Sequence, residues 1–151
     1  MIASDALVLL DTTILVHLAR GKAAGRKLRD DYELADRTER PAISVVTVGE
    51  CLALAKKLNW GPGKVTRLKE IFYELVVVDI NRPSVLDKYS EIDPYAEQNG
   101  LGGISKNDLW IASCAAAAGA ILLTNDHDFV ALNDVFLTVE YVDPSSLPRG
   151  D

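Results

Sequence analysis

The chain has 151 residues, of which 48% are apolar and 25% charged. This composition excludes a disordered or collagen-like chain, and the length predicts that residues 1–151 form a single domain. Cys51 and Cys114 match no metal-ligand spacing such as CxxC, so we interpret them as core thiols of a reduced, cytoplasmic protein. The longest uncharged stretch, residues 109–125, is shorter than the roughly 20 residues that span a bilayer. We therefore predict no membrane partner.

The net charge of -6 is unevenly distributed along the chain. Residues 1–79 hold 12 Lys and Arg against 11 Asp and Glu, whereas residues 80–151 hold 4 against 11. The basic residues bunch at positions 20–29 and 56–69. Such bunches are typical of a phosphate-binding rim, and Arg26, Lys27 and Arg29 are our candidates for contacts with RNA. Ordinary solvated helix faces are the alternative.

Short apolar runs alternate with longer helical patterns along the chain. The runs predict strands at residues 6–10, 42–46, 75–80, 120–124 and 137–142. The patterns between them predict helices at residues 13–19, 23–35, 48–58, 65–73, 83–97 and 106–118. Pro94 argues against one unbroken helix through 83–97. Because continuous apolar strands are typical of sheets covered on both faces, the alternation predicts a three-layer α/β domain with a central, mostly parallel sheet flanked by helices.

Open parallel sheets bind ligands at the carboxyl ends of their strands. This rule identifies four acidic residues as candidates for a functional site. Asp11 directly follows the first strand, and Asp126 follows the fourth with one residue between. Glu50 is expected in the first turn of the helix after the second strand. Asp108 is expected in the first turn of the helix that leads into the fourth strand. We predict that these four carboxylates meet in one cleft.

Each of these acids also has an ordinary structural interpretation. Asp11 and Asp126 could cap the turns that follow them. Residues 47–50 and 105–108 both match the capping box, in which a first-turn acid bonds back to the cap. However, Asp108 lies on the apolar stripe of its helix, where an unpaired carboxylate is costly. Four independent caps also have no reason to cluster at one end of a sheet, which favours a shared site.

A shared site needs a counter-charge. Two carboxylates about 4 Å apart repel by roughly 4 kcal/mol at an effective dielectric near 20. An all-oxygen set without Cys favours Mg²⁺ or Mn²⁺ over Zn²⁺. Such an ion would activate water and stabilise the oxyanions formed when a phosphodiester is attacked. The acids therefore predict metal-assisted phosphodiester hydrolysis.

Four segments resemble, in order, the motifs of PIN-domain nucleases. They are Leu-Leu-Asp-Thr-Thr-Ile-Leu at 9–15, the segment 44–50, Asn-Asp-Leu-Trp-Ile-Ala-Ser at 107–113 and Leu-Thr-Asn-Asp-His-Asp-Phe at 123–129. The resemblance covers essentially the whole chain. In length and motif style the chain is most similar to the VapC-type toxins of bacterial and archaeal toxin–antitoxin pairs.

The resemblance implies a five-stranded sheet in the order 3-2-1-4-5 and Mg²⁺-dependent endoribonuclease activity, with Mn²⁺ as a possible substitute. It also implies frequent homodimerisation and inhibition by a small antitoxin protein.

Carried over residue by residue, the resemblance makes Asp11, Asp108 and Asp126 the metal ligands. Glu50 would complete the catalytic set through a bound water. Thr13 or Thr124 would orient a carboxylate or water. Asp128 rivals Asp126 as the fourth acid, but Asp126 is favoured because it lies nearer the strand end.

Other enzyme classes match the sequence less well. A haloacid-dehalogenase-like phosphatase needs a second Asp at the position of Thr13, and a receiver domain needs an acidic pair that is missing. A serine hydrolase needs a GxSxG elbow that the chain lacks. The remaining alternative is a non-catalytic RNA-binding or interaction module with a PIN-like fold. Such a module would gain from losing negative charge at its phosphate site, so the intact acidic set favours the nuclease.

Overall fold

The computed structural model describes residues 2–150, which form one parallel sheet flanked by helices. The strands are β1 (Val8–Leu10), β2 (Ala42–Ser44), β3 (Val76–Val78), β4 (Ile121–Thr124) and β5 (Thr138–Tyr141). The helices are α1 (Thr12–Arg20), α2 (Ala23–Asp31), α3 (Val45–Lys57), α4 (Pro62–Glu74), α5 (Pro83–Gln98) and α6 (Lys106–Ala118). The sheet order is β3-β2-β1-β4-β5 and all four strand pairs are parallel. The predicted fold class and strand order are confirmed.

The three layers arise because successive residues of a strand point to opposite faces of the sheet. Leu10 joins an apolar core with α1, α2, α3 and α4, whereas Leu9 joins a second core with α5 and α6. β1 lies at the centre of the sheet, and its three residues are fully buried. Both cysteines are free and buried, in agreement with the sequence interpretation. No helix within residues 2–150 has both the length and the apolar character of a bilayer span.

The junction of β2 and α3 differs from the prediction. The strand was expected to reach residue 46, but it ends at Ser44, whose Oγ accepts a hydrogen bond from the Val46 N–H at 3.1 Å. This cap starts the helix at Val45, so a favourable N-cap overrides the β-branched run. Glu50 therefore lies in the second turn of α3 rather than the first. The capping-box interpretation of residues 47–50 was wrong, because Thr47 is already inside the helix.

Two helix predictions also need correction. α2 ends at Asp31 rather than at residue 35, and Glu33 then takes a left-handed backbone with φ of 51°. α5 runs unbroken through Pro94, against the expectation of a break. Pro94 removes the amide that would bond to the Ser90 carbonyl. Both residues are exposed, so water can hydrate that carbonyl. By contrast, α6 has the predicted bounds.

Candidate active site

The centre of the site is Asp11, at the carboxyl end of the central strand. β1 and β4 pair in register, with Leu10 opposite Leu123, and the Asp11 N–H donates to the Leu123 carbonyl at 3.1 Å. The next residue of β4 is Thr124, whose Oγ1 donates to Asp11 Oδ2 at 2.5 Å. The adjacent ends of β1 and β4 thus hold Asp11 against the neighbouring strand.

Three further groups fix the Asp11 carboxylate, which is only 2% exposed. Thr13 Oγ1 donates to Oδ1 at 2.5 Å, and the Ile14 N–H donates to the same oxygen at 3.2 Å. Thr13 Oγ1 itself accepts from the Asn125 N–H at 3.1 Å, which orients the hydroxyl. Burial raises the pKa of Asp11, and the hydrogen bonds from Thr124 and Thr13 partly oppose that rise. Both threonines suggested by the sequence therefore contact this acid.

Asp126 is positioned by the same β4 terminus. Its N–H donates to Thr124 Oγ1 at 2.8 Å, so one threonine joins Asp11 to Asp126. Asp126 Oδ1 accepts from the Asp128 N–H at 2.9 Å and thereby caps the 3-10 turn His127–Leu132. Asp126 is half-buried, whereas Asp128 is exposed and lines a separate cavity with Gly100 and Gly103. These contacts favour Asp126 as the fourth acid.

Glu50 reaches the site from α3 and is held by two residues that the sequence argument did not single out. Thr12 Oγ1 donates to Glu50 Oε1 at 2.7 Å and lies 3.1 Å from Thr47 Oγ1. Asn107 Nδ2 lies 3.3 Å from Glu50 Oε2 and donates to it. Thr12 directly follows Asp11 in the chain, and Asn107 directly precedes the acid of α6. Their adjacency to predicted acids is the signal that could have identified them.

Asp108 shows that the acids share one electrostatic environment. Its pKa is raised to about 6, first by burial and then by the negative charges of Asp126, Glu50 and Asp11. Ser105 Oγ accepts from the Asp108 N–H at 3.1 Å. A hydrogen bond between the Ser105 side chain and the Asp108 carboxyl opposes the rise in pKa. Asp108 therefore lies within electrostatic range of the other three acids.

No basic side chain offsets this negative charge within residues 2–150. Among these residues, none of the four acids forms an ion pair with Lys or Arg. Lys106, the basic residue nearest in sequence, pairs instead with Asp93 at 2.9 Å. A set of carboxylate oxygens without a basic partner is chemically suited to a hard divalent cation.

The side chains are not yet arranged around a common point. In the part of the chain that the structure describes, no three His, Cys, Asp or Glu side chains stand as a ready-made metal site. Asp11 directs its oxygens to Thr13 and Thr124, and Asp126 directs one to the Asp128 amide. The residues fit a cation by donor chemistry, and their carboxylates would have to turn to bind one together.

The predicted RNA-binding residues lie on the exposed side of α2. Arg26 Nη1 donates to the Gly21 carbonyl at 2.9 Å, and Lys27 Nζ lies 2.5 Å from Asp31 Oδ2. Arg29 lines a cavity with Arg40, which precedes β2, at the amino ends of the strands. The structure thus places Arg29 at the sheet edge opposite the acids. A contact of these three residues with RNA stays a prediction.

Comparisons with known proteins agree with this architecture. The PIN domain family model matches residues 8–135. The chain is similar to the structure of VapBC2 from Rickettsia felis bound to a promoter DNA fragment, with 26% identity, a TM-score of 0.78, and coverage of 91% of this chain and 99% of that one. It is also similar to FitAcB from Neisseria gonorrhoeae, with 25% identity, a TM-score of 0.67, and coverage of 88% and 96%.

The fold alone is shared with DNA-bound VapBC from Salmonella typhimurium, at 20% identity and a TM-score of 0.75 over 90% of this chain and 98% of that one. A comparison with curated protein sequences returned no significant match. The family match covers β1 to β4, the acid-bearing strand ends and the first turn of α6. With this match and the strand order observed above, the chain belongs to the PIN-domain family.

Proposed function

We propose that this protein is a metal-dependent endoribonuclease and the VapC-like toxin of a type II toxin–antitoxin pair. The observation that carries the proposal is the grouping of Asp11, Glu50, Asp108 and Asp126, in which burial, followed by the negative charges of the other three acids, raises the pKa of Asp108 to about 6. Membership of the PIN-domain family supports nuclease chemistry. The likeness to VapBC2 of Rickettsia felis supports the toxin assignment.

Asp11, Asp108 and Asp126 are the proposed ligands of Mg²⁺, for which Mn²⁺ could substitute. When bound, the cation supplies water activation and stabilises the negative charge that develops at the phosphate. Thr13 and Thr124 keep the Asp11 carboxylate at the end of β1.

Glu50 has the role of proton acceptor in this proposal. Thr12 and Asn107 hold its two oxygens from opposite sides, so the carboxylate is oriented before the substrate arrives. A fixed acceptor lowers the entropic cost of aligning the attacking water. Glu50 acts through that water rather than on the RNA directly.

The proposed partners are an RNA substrate, a small antitoxin protein and a second copy of the chain. Arg26, Lys27 and Arg29 are proposed RNA contacts, supported only by their charge and exposure on α2. The antitoxin rests on the likeness to VapBC complexes. The homodimer rests on the resemblance to VapC-type toxins.

The test compares the native chain with Asp108→Asn for cleavage of a structured RNA in the presence of Mg²⁺ or EDTA. We expect cleavage only by the native chain with Mg²⁺, and a loss in the variant on the order of 10³-fold or more. In cells, expression of the native chain should arrest growth, and expression of Asp108→Asn should not. Asp87→Asn, which changes an exposed acid on α5, is the matched control.

Equal cleavage by the native chain and Asp108→Asn would reject the proposed site. RNA binding by the native chain without any Mg²⁺-dependent cleavage would instead favour the non-catalytic RNA-binding module. Normal growth of cells that contain the folded native chain would contradict the toxin assignment.

A further inference from the structure

A second, strongly basic feature lies on the face of the sheet covered by α1 to α4. It is a cavity of ≈ 650 Å³ lined by Arg20, Lys22, Lys64 and Arg149, together with His17 and Trp60. We call it the basic cavity. None of its lining residues within 2–150 is acidic. In a chain of net charge -6, such a concentration of one sign is a distinct electrostatic feature.

Three distant parts of the chain supply these charges. Arg20 and Lys22 come from the junction of α1 and α2, Lys64 from the first turn of α4, and Arg149 from the segment after β5. A Cβ placed on Gly21 would lie 3.2 Å from Nη2 of Arg67, so a further guanidinium lies against the junction of α1 and α2. The fold thus joins the two basic bunches of the sequence and adds a third source.

The basic side chains have no acidic partners in the part of the chain that the structure describes. None of the four takes part in an ion pair there. Lys64 Nζ instead lies 4.6 Å from the centroid of the Trp60 ring. Unpaired like charges repel one another, so a bound polyanion would be favoured by each of them.

The basic cavity and the acidic site lie at opposite ends of α1. Asp11 caps the start of this helix and Arg20 is its last residue, so the two ends are about 14 Å apart at 1.5 Å per residue. The other wall of the cavity begins at Pro144, shortly after Val142, whose N–H donates to the Thr124 carbonyl at 2.8 Å. This wall therefore starts beside the end of β4, which Asp126 follows.

We propose that the basic cavity binds the phosphate backbone of single-stranded RNA, as a second contact for the strand that reaches the acidic site. Grooves for single strands combine Lys and Arg with aromatic side chains, which is the composition found here. The role as a substrate contact rests on the proposed function, whereas the binding of RNA can be measured without cleavage.

The test measures binding of a fluorescein-labelled oligouridine by anisotropy in EDTA, at several KCl concentrations. The variant Arg20→Gln/Lys64→Gln/Arg149→Gln removes three charges from the basic cavity. We expect its affinity at low salt to fall on the order of tenfold or more. The slope of log K against log[KCl] should fall by about 2 in magnitude, since each single-strand phosphate contact contributes roughly 0.7.

A matched control removes three charges elsewhere, in Arg40→Gln/Arg82→Gln/Lys88→Gln, of which Arg40 and Arg82 are exposed and Lys88 is half-buried. The control has the same net charge as the cavity variant, so non-specific electrostatics would weaken both equally. Native-like binding by the control and weak binding by the cavity variant would support the proposal. Equal binding by the two variants would overturn it.

Poly-L-glutamate distinguishes an acidic peptide from RNA. If the cavity variant lost poly-L-glutamate binding while it bound oligouridine like the native chain, the cavity would belong to an acidic peptide and the proposal would fail. The nuclease assignment fails separately, through absent Mg²⁺-dependent cleavage by a native chain that still binds oligouridine.

Discussion

At the scale of single residues, two of the proposed catalytic acids also have a structural role as helix caps. Asp11 caps α1 through the Ile14 amide, and Asp126 caps the 3-10 turn that follows β4. The capping interpretation is therefore correct for these residues, and their role as metal ligands stays a prediction. The reason is geometric, because a strand that leads directly into a helix places the cap at the carboxyl edge of the sheet. Asp11 bonds to α1 with Oδ1 and to Thr124 at the end of β4 with Oδ2.

The charge of Asp108 should make the metal-free protein less stable as the pH rises. The pKa of Asp108 is raised to about 6 from 3.8, so the folded state holds a proton that the unfolded state has lost between about pH 4 and pH 6. Between about pH 4 and pH 6, the contribution of Asp108 to the free energy of unfolding therefore falls as the pH rises. Above about pH 6, the resulting loss of stability is constant. Asp108→Asn should thus raise the free energy of unfolding at pH 7 by about 1–2 kcal/mol, after allowance for solvent screening.

Urea unfolding in EDTA at pH 4, 5, 6 and 7 checks this expectation. The difference between Asp108→Asn and the native chain should grow across the window and then level off. Asp87→Asn serves as the control, because Asp87 is exposed and lies on α5, apart from the acidic site. A difference that is constant with pH would show that Asp108 does not titrate as described.

At the scale of elements, the sequence predicts best where local signals and tertiary packing agree. α6 has its predicted bounds because Ser105 caps its start and Gly119 ends it with φ of 64°. The end of β2 was missed, because the hydroxyl of Ser44 outweighs the β propensity of Val45 and Val46. The hydrophobic pattern of the sequence does not reveal whether a helix cap or the β propensity of the following residues determines the structure.

In the acidic site, too, some contacts could be predicted from the sequence and others could not. The rule for strand ends predicted that Asp11 and Asp126 would come together, since it depends only on strand order. The contacts of Thr12 and Asn107 with Glu50 depend on how α1, α3 and α6 pack, over sequence separations of 38 and 57 residues. Side-chain contacts of this kind follow from packing geometry and leave no periodic signal in the sequence.

The packing of α1 on α2 can be tested at one glycine. An ideal Cβ on Gly25 would lie 2.3 Å from the His17 carbonyl oxygen, a backbone atom that cannot rotate away. Gly25→Ala should therefore lower the free energy of unfolding by about 1–3 kcal/mol. Gly49→Ala is the matched control within α3, because its Cβ would meet no atom within 4 Å apart from its chain neighbours and the backbone of its own helix.

Chemical denaturation of the two variants provides the measurement. Gly49→Ala should raise stability by about 0.5–1 kcal/mol through helix propensity, opposite in sign to Gly25→Ala. If Gly25→Ala were as stable as Gly49→Ala, the close approach of α1 and α2 would be wrong.

At the scale of the whole molecule, the sequence shows that the basic residues are concentrated in the first half of the chain. It does not show where they lie in the folded protein. Residues 1–79 supply β1 to β3 and α1 to α4, and with them most of the basic residues. The fold brings Arg20, Lys64 and Arg149 together, whereas Arg29 lies near the opposite end of the strands. Sequence proximity suggested one basic rim that included Arg29. Tertiary structure instead separates neighbours along the chain and joins residues that are far apart.

The balance of charge at the acidic site predicts how the whole chain responds to Mg²⁺. A cation that binds only the folded state stabilises it by about 2.7 kcal/mol at a concentration 100 times its Kd. For a domain of this size, that stabilisation corresponds to a rise in Tm of roughly 5–10 °C. Mg²⁺ should raise the Tm of Asp108→Asn by less, because this variant lacks one carboxylate ligand. The variant also lacks the repulsion that Mg²⁺ relieves in the native chain. The variant is therefore expected to have the higher Tm in EDTA and the native chain to gain more from Mg²⁺.

Thermal unfolding followed by circular dichroism, with MgCl₂ titrated against NaCl of equal ionic strength, measures this response. NaCl screens the acids without binding between them, so its effect on Tm should be much smaller than that of MgCl₂. Asp87→Asn should respond to MgCl₂ as the native chain does, since its acid lies outside the site. An equal gain in Tm for the native chain and Asp108→Asn would mean that Mg²⁺ binds elsewhere. An equal gain from NaCl would mean that screening alone relieves the repulsion among Asp11, Glu50, Asp108 and Asp126.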